Sequence, residues 1–173
     1  MPDYVPFGGL AYFVLLGLLA FSRGMDMLST RVATPNLVLE GNPLAKKLGW
    51  GGSLLLSVVV CVGFACSPLS AIVISTTSVL VAARNFQQAW LMRSMGEEHY
   101  RAWHVARLLE CSKPLYLFCL LGQTGLIALV GMALIFFSRN QAVSAAIGWG
   151  VMGYAVAVVF YTMLSWWRMR RAV

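Results

Sequence analysis

The sequence predicts an all-α integral membrane protein: a helical bundle of five transmembrane helices with one amphipathic helix on its cytoplasmic surface. Three observations predict it. First, 60% of the 173 residues are hydrophobic and only 11% are charged, whereas a soluble domain carries about 25% charged residues. Thirteen basic and six acidic side chains cannot build a polar shell around a globule of this size. Second, apolar runs close to the 20 or so residues that span a bilayer recur along the chain. Third, the basic residues fall almost entirely in segments that alternating spans would place on one side. This composition excludes an ordinary soluble enzyme, a disordered chain and a disulfide-stapled secreted domain.

The first span runs from Phe7 to about Leu28, with Arg23 and Asp26 crowding its end. No basic residue precedes it, so it reads as a span and not as a cleavable signal. The next apolar stretch covers 49–83. As a single helix it would be about 52 Å long, far more than one crossing needs. Pro68 divides it into spans at about 50–66 and 69–92. The alternative is a re-entrant hairpin of 50–66 and 69–83, which leaves the flanking charges on the same sides. A short helix, Leu44–Leu48, leads into the second span. Pro43 suits its first turn and Asn42 suits its N-cap. The fourth and fifth spans fall at about 114–137 and 143–167.

Between the third and fourth spans, Glu97 and Glu98 open a helix whose dipole favours acids in the first turn. Glu97 is expected to pair with Arg101 at i,i+4. Ala102, Val105, Ala106 and Leu109 share a face fit for the headgroup region of a membrane.

Five spans collect Arg23, Arg31, Lys46, Lys47, Arg84, Arg93, Arg101, Arg107, Lys113, Arg168, Arg170 and Arg171 on one side and leave only Arg139 on the other. The positive-inside rule then places the N-terminus outside and the C-terminus in the cytoplasm of a multi-pass cell-membrane protein. The net charge of +7 is therefore read as topology and not as a nucleic-acid footprint. Trp50, Trp166 and Trp167 fall at cytoplasmic helix ends and Trp149 near an outer one, as an aromatic belt would place them.

Polar chemistry concentrates after the first span. Arg23, Asp26 and Thr30 share one helical face. One reading is a local Arg23–Asp26 ion pair with a hydroxyl beside it. The other is a ligand site in which Asp26 and Glu40 supply charge while Thr30 and Asn42 supply neutral oxygens, a set suited to a divalent cation or a polar headgroup. Arg84, Gln87 and Gln88 form a polar stripe on the third helix. Either that helix has left the membrane there, or Arg84 and Gln88 complete a cytoplasmic pocket with Asp26 and Glu40.

Asp26-x3-Thr30 followed by Glu40-x-Asn42-Pro43 resembles a family of small prokaryotic polytopic membrane proteins of unknown function. The match rests on those five residues in the first third of the chain, and the stretch Arg31–Leu39 is longer than the family pattern. The resemblance implies four or five spans and carries no activity.

Other features read as architecture. Cys61, Cys66, Cys111 and Cys119 form no CxxC pair and read as small hydrophobes. His99 and His104 are five apart, the wrong spacing for one helix face. The hydroxyls of Ser75–Ser78 are expected to bond to backbone or across helices, and Ala146, Gly150, Gly153 and Ala157 form a small-residue packing face. No HExxH, Gly-x-Ser-x-Gly or P-loop motif occurs. The expected role is a non-catalytic accessory or assembly subunit that packs with membrane lipid, partner membrane proteins or a second copy of itself. The rival is a small enzyme acting on a lipid or isoprenoid headgroup at the cytoplasmic leaflet, using Asp26 and Glu40 with Arg84 or Arg31 holding a phosphate. A small-solute carrier is a third class. The enzyme reading would use a divalent cation at Asp26 and Glu40; the sequence otherwise leaves any cofactor unknown.

Overall fold

The computed structural model describes residues 4–139 and 141–171, with side chains through Arg168. Asn140 and the side chains of Arg170 and Arg171 lie outside the described residues. Six helices follow one another: α1 (Leu10–Ala33), α2 (Pro43–Phe64), α3 (Pro68–Met95), α4 (Glu97–Glu110), α5 (Lys113–Phe136) and α6 (Ala142–Arg171). All but α4 are long and apolar enough to cross a membrane.

Local chemistry sets the helix ends. Gly8, at φ 81°, turns the chain in the left-handed region that favours glycine. The helix therefore starts at Leu10 and not at Phe7, and it runs on past Leu28 to Ala33. The Asn42 side chain accepts a 3.0 Å hydrogen bond from the Leu44 N–H, so the expected cap is in place. Pro43 fills the first turn of α2, and Gly49, at φ 64°, breaks the helix between the short N-terminal piece and the apolar segment. Pro68 likewise starts α3 and Pro114 lies in the first turn of α5. Gly96, at φ 78°, makes the elbow between α3 and α4.

The long helices form a row. α3 is its spine, packing on α1 along one face and on α6 along another. These three run parallel. α2 returns against α1 at one edge, with few contacts to α3, and α5 returns against α6 at the other. The 34–42 loop, α4 and the end of α6 thus share the basic end of the bundle. At the opposite end the Val5 N–H donates to the Cys66 carbonyl at 2.8 Å and ties the chain start to the α2–α3 turn.

Small residues fill much of the interior: Ala33, Ala65, Ala71, Ala82, Ala89, Ala146, Ser22, Ser29, Ser75 and Ser78 are buried, beside larger side chains such as Tyr12, Leu15, Leu19, Leu120 and Tyr154. Leu10, Phe13, Val14, Phe21, Leu55, Val59 and Phe118 face outward. Large apolar side chains thus cover the outside to an extent that a soluble protein does not show. This arrangement suits lipid, where association depends on close backbone approach because lipid tails are as apolar as leucine.

Along α1 the buried positions are 12, 15, 19, 22, 29 and 33, and along α3 they are 68, 71, 75, 78, 82 and 89. Three–four spacing of this kind makes a left-handed helix seam. The position missing from each series is polar: Asp26 on α1 and Asn85 on α3.

Candidate functional site

The polar seam is built from α1 outward. Arg23 points at three helices. Its Nη1 donates to the Asp26 carboxylate at 2.8 Å and to the Ser78 hydroxyl of α3 at 3.4 Å, while Nη2 donates to the Ser57 hydroxyl of α2 at 3.1 Å. The Arg23–Asp26 pair retains 28% and 18% side-chain exposure, so it is partly desolvated and not sealed. A charge at membrane depth is costly and is normally paired in this way. Two polar atoms, Arg23 Nε and Ser75 Oγ, are buried in the seam without a partner.

One turn further on, the Asn85 amide donates to the hydroxyls of Ser29 at 3.3 Å and Thr30 at 3.1 Å. Ser29 in turn donates to the Asp26 backbone carbonyl at 2.8 Å. Asn85 is thus the α3 residue that reaches Thr30. Arg84, its neighbour, turns the other way and lies within electrostatic reach of Tyr116 at the start of α5. Gln87 and Gln88 are exposed.

Glu40 sits in the loop between α1 and α2, close enough to Asp26 for the two charges to interact. Its Oε1 accepts a 2.7 Å hydrogen bond from the Asn42 N–H. The structure therefore brings Asp26, Thr30 and Glu40 into one region, keeps Asn42 in its capping role, and sets Arg84 and Gln88 apart from them.

The 34–42 loop is braced from two helices. Glu97, at the first turn of α4, accepts from the Thr34 hydroxyl at 2.7 Å, from the Asn36 N–H and side-chain amide at 3.0 Å each, and from the Val38 N–H at 3.2 Å. This corrects the expected Glu97–Arg101 pair: both carboxylate oxygens are taken by the loop. Partial burial pushes the Glu97 pKa up, but hydrogen bonding from Thr34, Val38 and Asn36 outweighs it and holds the carboxyl below its ordinary range. From α2, the Trp50 indole donates to the Pro35 carbonyl at 2.9 Å and the Lys46 ammonium donates to the Val38 carbonyl at 2.9 Å. The Arg31 guanidinium lies 5.9 Å from the centre of the Trp50 ring, in cation–π range. A polar hollow of about 510 Å³ opens beside this brace, bordered by Asn36, Arg93, Glu98 and His99.

On α4, Tyr100 and Leu108 are buried against the bundle, and Ala102, Ala106 and Leu109 stay exposed. The apolar face read from the sequence therefore points away from the protein. His104 stacks on Tyr100 with ring centroids 5.9 Å apart, while His99 is exposed elsewhere on the helix. Among the described residues, no group of three or more His, Cys, Asp and Glu side chains is arranged to hold a metal ion.

The small-residue face of α6 meets α3. A Cβ on Gly150 would lie 2.6 Å from Thr76 Cβ and 2.8 Å from the Val73 carbonyl oxygen, and one on Gly153 would lie 3.3 Å from the Thr77 hydroxyl. The Thr77 hydroxyl donates to the Gly150 carbonyl at 2.9 Å. Ala146 is buried and Ala157 half-buried. A second contact of this type was not read from the sequence. A Cβ on Gly148 would lie 2.7 Å from the Gly131 carbonyl oxygen of α5, and one on Gly131 would lie 2.9 Å from that of Gly148. Only the shared glycine signal could have hinted at this pairing.

Comparison with known protein families, curated proteins and solved structures gave no match.

Proposed function

We propose that this protein is a non-catalytic accessory or assembly subunit of a membrane, oriented with the basic end of the bundle in the cytoplasm. One observation carries the reading: two charged side chains toward that end, Arg23 and Glu97, are engaged in holding the fold together. Arg23 bridges α1, α2 and α3, and Glu97 ties α4 to the loop after α1. The apolar lateral faces stay open to partners or lipid. The orientation rests on the positive-inside bias. A reporter after Val173 should be cytoplasmic and one inserted at Asn140 outside; the opposite pattern contradicts the orientation.

The test of the role is native mass spectrometry of the protein extracted gently from its own membrane. The reading expects a stoichiometric protein partner that Asp26→Asn and Glu40→Gln leave in place. A lone chain carrying a divalent ion or an isoprenoid phosphate, lost in those two variants, would overturn it. That outcome would favour the second reading, an enzyme at the cytoplasmic leaflet. Its support is the nearness of the Asp26 and Glu40 carboxylates.

A further inference from the structure

A concavity lined by α5 and α6 lies apart from the polar seam of α1–α3. It is a groove of about 770 Å³, lined by Thr124, Gly125 and Ala128 of α5 and by Met152, Phe160 and Trp167 of α6, among others. Its lining is almost wholly apolar. Along α6 it runs from Met152 to Trp167, about 22 Å at 1.5 Å per residue. One leaflet contributes about 15 Å of hydrocarbon, so the groove reaches from the basic interface past the bilayer middle.

Three features define its basic end. Trp167 lines the groove and is 48% exposed, in keeping with an interfacial tryptophan. Tyr116 of α5 stacks on Trp166 of α6, with centroids 6.5 Å apart and planes 13° from parallel, and joins the two helices at this level. Two exposed cations continue the lining stripes. Lys113 precedes Thr124 by three helical turns, and Arg168 follows Leu164 by one, so each projects on the stripe of a lining residue.

We propose that this groove binds one anionic phospholipid of the basic-side leaflet, with an acyl chain along α6 and the headgroup phosphate between Lys113 and Arg168. Charge complementarity identifies the occupant, since basic positions between helices at the cytoplasmic surface recognise anionic headgroups. The site is separate from Asp26 and Glu40 and stands whichever role the polar seam plays.

The test reconstitutes the full chain with phosphatidylglycerol and phosphatidylcholine of matched chains and counts retained lipid by native mass spectrometry. Two basic side chains predict a preference of about 30-fold for phosphatidylglycerol. The double variant Lys113→Gln/Arg168→Gln should bring the two lipids level. Gly125→Leu places a side chain in the groove, where no atom lies within 4 Å of a Cβ, so the helices stay packed while retention of either lipid falls. Equal retention of both lipids by the native chain, or full retention by Gly125→Leu, would overturn the proposal. So would a lipid-free second copy or foreign helix cross-linked to a cysteine at Ala128.

Discussion

The α1–α3 seam and the α3–α6–α5 stack solve the same problem with different chemistry. Both must bring helices together where burying apolar surface gains little, because the surroundings are equally apolar. In the first, side chains reach across. Arg23, Asp26, Ser78 and Asn85 form interhelical or bracing hydrogen bonds among buried alanines and serines. In the second, side chains are removed at the closest approaches, and Thr77 adds a single hydrogen bond to the Gly150 carbonyl. Gly131, Gly148 and Gly150 let backbones approach until a single Cβ would collide. The first arrangement is directional and adjustable; the second is steric and unforgiving. The difference teaches that polar residues at membrane depth need not mark chemistry, since here they stand in for the close contacts that glycine supplies elsewhere.

That contrast orders the expected mutational effects. Gly150→Val should be the most damaging, costing about 3 kcal/mol, because the clash is with backbone and with a β-branched residue on α3. Gly125→Ala, facing open space, should cost far less and serves as the control. Resistance to unfolding by increasing detergent denaturant checks both. On the polar side, Arg23→Met leaves Asp26 unpaired and should cost about 2 kcal/mol, below the value for a fully buried pair because this one is partly exposed.

Glu97→Gln should cost about 1 kcal/mol and should free the 34–38 loop, seen as faster backbone hydrogen exchange at Asn36 and Val38. Its pH signature follows from the direction of its shift. The folded pKa lies below the unfolded one, so the brace contributes fully above the unfolded value of about 4.3 and is lost as pH falls through the folded value. The variant should lack that acid limb. Asn85→Ala should be the mildest, about 0.6 kcal/mol, the average for one interhelical hydrogen bond in a membrane. If Asn85→Ala proved as damaging as Gly150→Val, the two regions would not differ as described.

Much of this architecture was legible in the sequence. Apolar run length placed all five long helices to within a few residues at most ends. Asn42-Pro43 announced a cap, Arg23 and Asp26 stood one turn apart, and Gly150 with Gly153 marked a packing face. Each of these is a short-range pattern. The partners of Glu97 were not legible because they lie 59 to 63 residues away along the chain, and the nearer Arg101 offered a plausible local alternative. The role of Asn85 was hidden for a different reason. It sits among Arg84, Gln87 and Gln88, so the cluster read as one stripe. The small residues at 71, 75, 78, 82 and 89 would have placed Asn85 on the opposite, buried line.

The central claim is that Arg23 and Asp26 act as one paired structural unit on α1, with neither charge left free for chemistry. A double-mutant cycle on Arg23 and Asp26, read by equilibrium unfolding, tests it most directly. The account predicts that Arg23→Met and Asp26→Leu each destabilise by about 2 kcal/mol, while the double variant recovers most of that loss, because an apolar pair can replace an ion pair but a lone charge cannot be left behind. Near-neutral single variants, or losses that simply add, would contradict it.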